Sequence, residues 1–268
     1  MHNGKLILKK DNYAVVDCSI CGFKHLDPVP SKKELDKYYR DKYYQQGCAK
    51  LLDPDKEKED SEWTKLAYSD TCTILDKYIT SDTRRILDIG CGNGFFLDFM
   101  KRNGWDVFGI EPSKKAGEYA SFLEVEIFNT TLDGFIDQKW NKFFDAINLT
   151  YLLEHVPDPV EVLKQCKNLL KDKGLICVEV PNDFNRLQLE LSKKGVPPWW
   201  VSVPDHINYF NFESLEQLLV SSGFEIVLKT TNFPMELFVL MGERYIEDSK
   251  IGEVCHLKRM IFECAKKS

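Results

Sequence analysis

The sequence predicts an α/β protein whose core is a doubly wound, mostly parallel sheet with helices on both faces. Short apolar runs alternate with segments of helical period from about residue 84 to residue 181. A glycine-rich turn, Leu87-Asp88-Ile89-Gly90-Cys91-Gly92-Asn93-Gly94, separates the first run from the first helical segment. Parallel strands need crossover connections, and helices between consecutive strands supply them. The 268 residues suffice for one large domain or a core domain with an annex.

Each element follows from its local pattern. In residues 1–46, Cys18-Ser19-Ile20-Cys21-Gly22 and a turn with Pro28 and Pro30 precede a helix. Ser31 is its candidate N-cap, with Glu34 three residues on completing a capping box. Residues 47–80 read as an acidic linker followed by a helix over about 63–79, because Asp53 to Glu62 carries almost only charge. Within 81–268, Arg85 to Ile89 is a buried strand, and Phe95 to Asn103 a helix with Phe96, Phe99 and Met100 on one face. Strands follow at 105–110, 125–128, 143–149 and 175–180, with helices at 113–122 and 158–171. Residues 182–212, rich in proline and aromatic side chains, read as an insertion after the fifth strand. A helix over 212–222 and strands over 224–231 and 235–241 complete a seven-stranded sheet.

Composition excludes several classes. With 36 basic and 42 acidic side chains, the net charge is −6, which disfavours a partner held through nucleic-acid phosphates. No apolar run approaches the roughly 20 residues that cross a bilayer. Residues 1–10 lack the apolar stretch of a secretory signal. Nine cysteines without export signals are expected as reduced thiols in a cytoplasmic protein.

The glycine-rich turn carries the chemistry. Glycines there let the backbone approach a ligand, and the N-terminus of the following helix offers N–H groups to an anion. The dinucleotide fingerprint G-x-G-x-x-G asks for a third glycine where Phe95 stands. The acid at Asp88 with glycines at 90, 92 and 94 instead closely resembles motif I of class I S-adenosylmethionine (SAM)-dependent methyltransferases, D-x-G-x-G-x-G, on a Rossmann-like fold. Glu111-Pro112-Ser113 at the end of the second strand, Phe144-Asp145-Ala146 through Leu153-Glu154-His155-Val156-Pro157-Asp158-Pro159, and Leu170 through Asn182 match the same family in order.

The resemblance implies SAM as cofactor, S-adenosylhomocysteine as product, and a set of contacts. Gly90, Cys91, Gly92, Gly94 and Phe95 would cradle the methionyl part, with Asp88 near its ammonium. Glu111, flanked by Pro112, would accept hydrogen bonds from the ribose hydroxyls. Thr131 and Leu132 would meet adenine, and Asn148, Leu149 and Thr150 would lie beneath the cofactor. If the acceptor must lose a proton, histidine is the natural base. The candidates are His206, with Asp205 beside it in sequence to orient it, and His155. The Asp205-His206-x-x-Tyr209-Phe210 block is similar to a segment of methyltransferases acting on nucleotide-activated sugars. Candidate acceptor contacts are Tyr38, Tyr39 and Tyr43 on a helix that the resemblance makes a lid, Trp199 and Trp200 in the insertion, and Tyr209. Core packing is the competing role for each of them. The Cys18-x-x-Cys21 pair resembles half of a zinc knuckle; residues 1–17 hold no second pair, His25 and Cys48 stand at no standard spacing, and no metal is expected.

The expected function is methyl transfer from SAM to a small polar acceptor, a nucleotide-activated sugar or capsule or surface-polysaccharide precursor. The alternatives are O-methylation of a quinone precursor or other small metabolite, and a non-catalytic SAM-fold binding subunit. The fourth choice, an NAD-dependent sugar enzyme, is disfavoured by Phe95.

Overall fold

A computed structural model of the protein describes residues 4–38, 54–114, 116–117, 123–230 and 262–266. Tyr39, Tyr43, Cys48 and the strand expected over 235–241 lie outside the described residues, as does most of the expected helix over 113–122.

The principal sheet is built from β4 (Arg85–Ile89), β5 (Asp106–Ile110), β6 (Glu126–Phe128), β7 (Phe144–Thr150), β8 (Leu170–Glu179), β10 (Phe224–Lys229) and β11 (Phe262–Lys266). Their order is β10-β11-β8-β7-β4-β5-β6. The run from β8 to β6 is parallel, and β10 and β11 are antiparallel additions at one edge. The chain leaves β4 toward β5 and β6, then returns to the opposite side with β7. Such a reversal of direction opens a crevice at the carboxyl ends of the central strands. Ile86, Leu87, Ala146 and Ile147 are fully buried there, as strands covered on both faces require.

Helix α1 (Lys32–Tyr38) begins as expected: the Ser31 hydroxyl and N–H both reach the Glu34 carboxylate. Helix α2 (Pro54–Tyr78) corrects the reading of residues 54–62 as linker. Proline at the first helical position and the acids that follow suit a helix N-terminus, and Lys and Glu are good helix formers. Its later turns bury Cys72 and Leu75 against α3 (Phe95–Arg102), where Phe96, Leu97 and Met100 face the core.

Helix α4 (Leu132–Phe135) and α5 (Pro159–Leu169) flank β7 in sequence. The fifth strand of the core starts at Leu170, earlier than expected, directly after α5. Leu170 pairs with Phe144 across the sheet. The ammonium of Lys171 holds both oxygens of buried Asp145, at 2.8 and 2.9 Å, which ties down a segment whose helical period had suggested continuation. Strand β11, which intervenes between β10 and β8, was not legible as a strand.

A second, antiparallel sheet unites β1 (Gly4–Lys10), β2 (Tyr13–Cys18), β3 (Lys24–Asp27) and β9 (Asn208–Tyr209). The N-terminal segment therefore supplies three strands and the insertion the fourth. Within the insertion lies α6 (Arg186–Lys193), and the ends of the insertion meet where Asn182 bridges Phe210. Helix α7 (Phe212–Ser221) follows, capped by Asn211. No helix among the described residues is long and apolar enough to cross a membrane.

Candidate active site

The loop after β4 has the form that the glycine spacing predicts. Gly90, Gly92 and Gly94 take φ of 79°, 54° and 80°, the left-handed region in which side chains are strained. A Cβ at Gly90 would meet Leu152 Cδ1 at 3.3 Å, so this turn packs directly against the segment that follows β7. The N–H groups of Gly90 and Cys91 donate to Ile110 O, at 2.8 and 3.1 Å, fixing the loop to the end of β5. Gly94 caps α3, and the N-terminus of that helix faces the crevice side of the sheet with its donors.

Two buried acids frame the loop. Asp88 Oδ1 accepts a hydrogen bond from Asn148 Nδ2 at 2.7 Å across the β4–β7 seam, and Thr150 donates on to Asn148 at 3.2 Å. Burial pushes Asp88 up to about 7, the Asn148 amide opposing the shift and the charge of Glu111 adding to it. Glu111 accepts from Gly92 N–H through Oε2 at 3.0 Å and from Ser113 N–H through Oε1 at 2.8 Å. Each oxygen retains acceptor capacity for a further donor. Asn129, at the start of the segment expected to meet adenine, ties the end of β6 to this turn by donating to Glu111 O at 3.3 Å.

Across the crevice, a cluster of ionisable groups joins the segment after β7 to the insertion. The His155 Nδ1 lies 3.0 Å from Asp205 O and 3.2 Å from Asp205 Oδ1. Asp205 thus engages His155, not the adjacent His206 that the sequence analysis paired with it. Two acceptors at Nδ1 place the neutral ring's proton there and its lone pair on Nε2, which lies 3.8 Å from Glu154 Oε1. Burial alone would lower His155, but Asp205 and Glu154 outweigh it and hold the imidazole above its ordinary value. The His206 ring meets the His155 ring edge-on, centroids 4.9 Å apart. Burial and the His155 charge push His206 down to about 4, against the pull of Asp205.

Glu154 and Asp183 were missed as candidates. Glu154 is buried, neither oxygen accepts a hydrogen bond from another residue, and burial pushes it up to about 7, with His155 and its own N–H opposing and Asp183 and Asp205 adding. Asp183, also raised to about 7 by burial, stands where the insertion closes, its N–H donating to Phe210 O at 2.8 Å. The available signal was the acid beside His155 and the acid two residues after Pro181. Ligating atoms of Glu154, His155 and His206 lie within 4.8 Å of one another.

The comparisons decide the family. A sequence model described as "Methyltransferase domain" matches residues 37–229. The chain belongs to this methyltransferase family. Among curated proteins it is 35% identical over 102 residues to a ubiquinone biosynthesis O-methyltransferase of Actinobacillus pleuropneumoniae serotype 5b, covering 35% of this chain and 44% of the relative. It is 37% identical over 105 residues to a ubiquinone biosynthesis O-methyltransferase of Alkalilimnicola ehrlichii, covering 37% and 42%. The match therefore spans less than half the length of these relatives. Among solved structures, the plantazolicin methyltransferase BpumL, in complex with a monoazolic desmethylPZN analog and SAH, superposes with a TM-score of 0.56 at 20% identity, covering 88% of this chain and 97% of that one. The chain shares the methyltransferase fold of that structure.

The remaining candidates fall at different places on the methyltransferase. Thr131 is the N-cap residue of α4, and Leu132 is buried in the main core. Leu149 is fully buried in β7. Trp200, 7% exposed, packs with Phe184, Val201 and Tyr209 between the insertion and the small sheet, whereas Trp199 is 61% exposed. Tyr209 is buried in β9, its hydroxyl raised by burial and by Asp183 and Asp205. Tyr38 closes α1. The Cys18-x-x-Cys21 pair, expected without a partner ligand, lies with His25: their ligating atoms are within 4.8 Å of one another. The fold, not the spacing, makes that third neighbour, because β3 runs back alongside β2.

Proposed function

We propose that this methyltransferase moves the methyl group of SAM to a hydroxyl of a small acceptor of the quinone-precursor class. The observation that carries the reading is the pairing of a buried, unbonded Glu154 carboxylate with the Nε2 edge of an Asp205-held His155. A carboxylate short of donors suits an acceptor hydroxyl, and a neighbouring imidazole can take the proton released as that oxygen attacks. The names of the matched curated relatives support the same acceptor class.

The roles follow from chemistry at each position. The turn at Gly90, Cys91, Gly92 and Gly94 lets the backbone lie close to the methionyl part, and the N-terminus of the helix that Phe95 opens holds its carboxylate. Asp88 receives the ammonium, and Glu111 the ribose hydroxyls, with Pro112 shaping the turn. Thr131 and Leu132 flank adenine, and Asn148 to Thr150 form the floor. Bound SAM would supply an electrophilic methyl group with S-adenosylhomocysteine as its leaving group, and His155 Nε2 would take the proton that the acceptor hydroxyl gives up. Alignment and exclusion of water supply most of the acceleration, and the base about two to four orders of magnitude.

A second reading, a nucleotide-linked sugar acceptor, is favoured by one feature. Residues 4–27 lie outside the matched family segment, yet they form the sheet that receives β9, just beyond His206. Mass spectrometry of reactions with isotopically methyl-labelled SAM separates the readings. A labelled ether on a phenolic quinone precursor supports the first, and label on a nucleotide-linked sugar transfers the assignment to the second. A protein that shows no calorimetric heat with SAM or S-adenosylhomocysteine overturns both.

A further inference from the structure

We propose that Cys18, Cys21 and His25 form a zinc site that braces the β2–β3 hairpin, the part of the small sheet that β9 joins to the acceptor side of the catalytic domain. The donor set is two thiols and one imidazole, a combination that suits zinc and disfavours calcium or magnesium. The backbone is already shaped for it. Gly22 takes φ of 78° and donates to Cys18 O at 2.9 Å, while Cys21 N–H points at Cys18 Sγ at 3.5 Å. These contacts bring both sulfurs to one side of a tight turn.

The histidine is oriented as a ligand would be. His25 Nδ1 lies 2.8 Å from Leu26 O, so Nδ1 carries the proton and Nε2 presents its lone pair. The three ligating atoms lie within 4.8 Å of one another. Tetrahedral zinc sets such atoms about 3.6–3.8 Å apart, so the side chains need to close by about 1 Å or less.

Such an ion would act on the site at a distance. His25 pairs with Asn208 in the β3–β9 ladder. The Asn208 side chain donates to Leu153 O at 2.9 Å and to Val156 O at 2.7 Å, bracketing Glu154 and His155. Ile207 and Asn208 N–H groups also converge on Glu154 O, at 2.7 and 3.0 Å. Holding β3 in place therefore holds the segment that carries the ionisable cluster.

The test uses the full chain purified with zinc supplied, and elemental analysis is expected to find about one zinc per chain. Cys21→Ser and His25→Asn are expected to lose it, whereas Cys72→Ala, on the far helix, keeps it. Cobalt substituted into the wild-type chain is expected to give a thiolate-to-cobalt charge-transfer band, a readout that does not depend on any variant folding. Chelation should lower the melting temperature while the calorimetric affinity for SAM stays unchanged. Wild-type protein that retains less than about a tenth of a zinc per chain, or a cobalt form without that band, overturns the site.

Discussion

The Asp205 carboxylate lies 3.2 Å from Nδ1 of His155, a residue fifty positions earlier in the chain, although His206 is its neighbour in sequence. The insertion folds back through β9 and lays Asp205 against the segment after β7, which makes His155 the better-supported base of the two. Substitution His155→Asn is expected to lower kcat by about two to four orders of magnitude, and His206→Asn by less, with SAM affinity retained in both. Asp205→Asn removes the charge that holds the His155 imidazole above its ordinary value. The limb of the kcat profile that rises with pH should then move to lower pH, with a reduced plateau. An unmoved limb would make Asp205 a packing residue only.

SAM binding is expected to depend on pH through Asp88. Its carboxyl is raised to about 7 in the free protein, first by burial, with Asn148 opposing and Glu111 adding. The ionised form is the one that receives an ammonium. Affinity is therefore flat above about 7 and weakens as pH falls, by roughly tenfold per unit, until the protonated form's own affinity is reached. Titration calorimetry between pH 5.5 and 8 checks it. Asp88→Asn should bind SAM more weakly and without that dependence; a wild-type Kd constant over the same range rejects the assignment.

Glu111 serves the loop and the cosubstrate together. Its two oxygens accept from Gly92 and Ser113 N–H groups at 3.0 and 2.8 Å. Glutamine at this position turns one acceptor into a donor facing an N–H, and a hydrogen bond to a charged group is worth about 1.5–3 kcal/mol. Glu111→Gln is expected to weaken SAM binding roughly ten- to hundredfold, while Glu111→Asp loses reach but keeps the charge and so loses less. Equal SAM affinity in the glutamine variant would remove Glu111 from the cofactor site.

These sites differ in how far the sequence exposed them. The loop from Asp88 to Gly94 was legible because its requirement is local: positive φ at spaced positions admits glycine, and one strand end precedes one helix start. The Ser31–Glu34 cap was legible for the same reason. The Asp205–His155 pairing was not, because nothing in either segment reports a contact made only when β9 joins β3. Residues 54–62 misled for a different reason. A charged run reads as solvated linker, yet the same Lys and Glu residues are strong helix formers once a helix is anchored further along by Cys72 and Leu75. His25 was discounted on spacing, a one-dimensional measure that the antiparallel turn between β2 and β3 overrides.

Asp145 anchors the sheet beneath the site, and its removal should be visible as lost stability. Its carboxylate accepts from Arg85 N–H at 2.9 Å and Thr83 hydroxyl at 2.8 Å and bonds the Lys171 ammonium at 2.8 Å, joining the starts of β4, β7 and β8. Burial alone would raise it, but these partners outweigh burial and hold it below its ordinary value of 3.8. A carboxyl depressed on folding adds stability that is fully present above the unfolded value and disappears as pH falls through the folded one. Asp145→Asn keeps the shape, loses the charge, and is expected to cost about 1.5–3 kcal/mol at pH 7 by urea unfolding. The gap between wild type and variant should stay level from pH 5 to 8 and close below 3.8. A gap that does not narrow as pH falls below 3.8, or that is absent at pH 7, shows that the carboxylate's charge is not what holds these strand ends together.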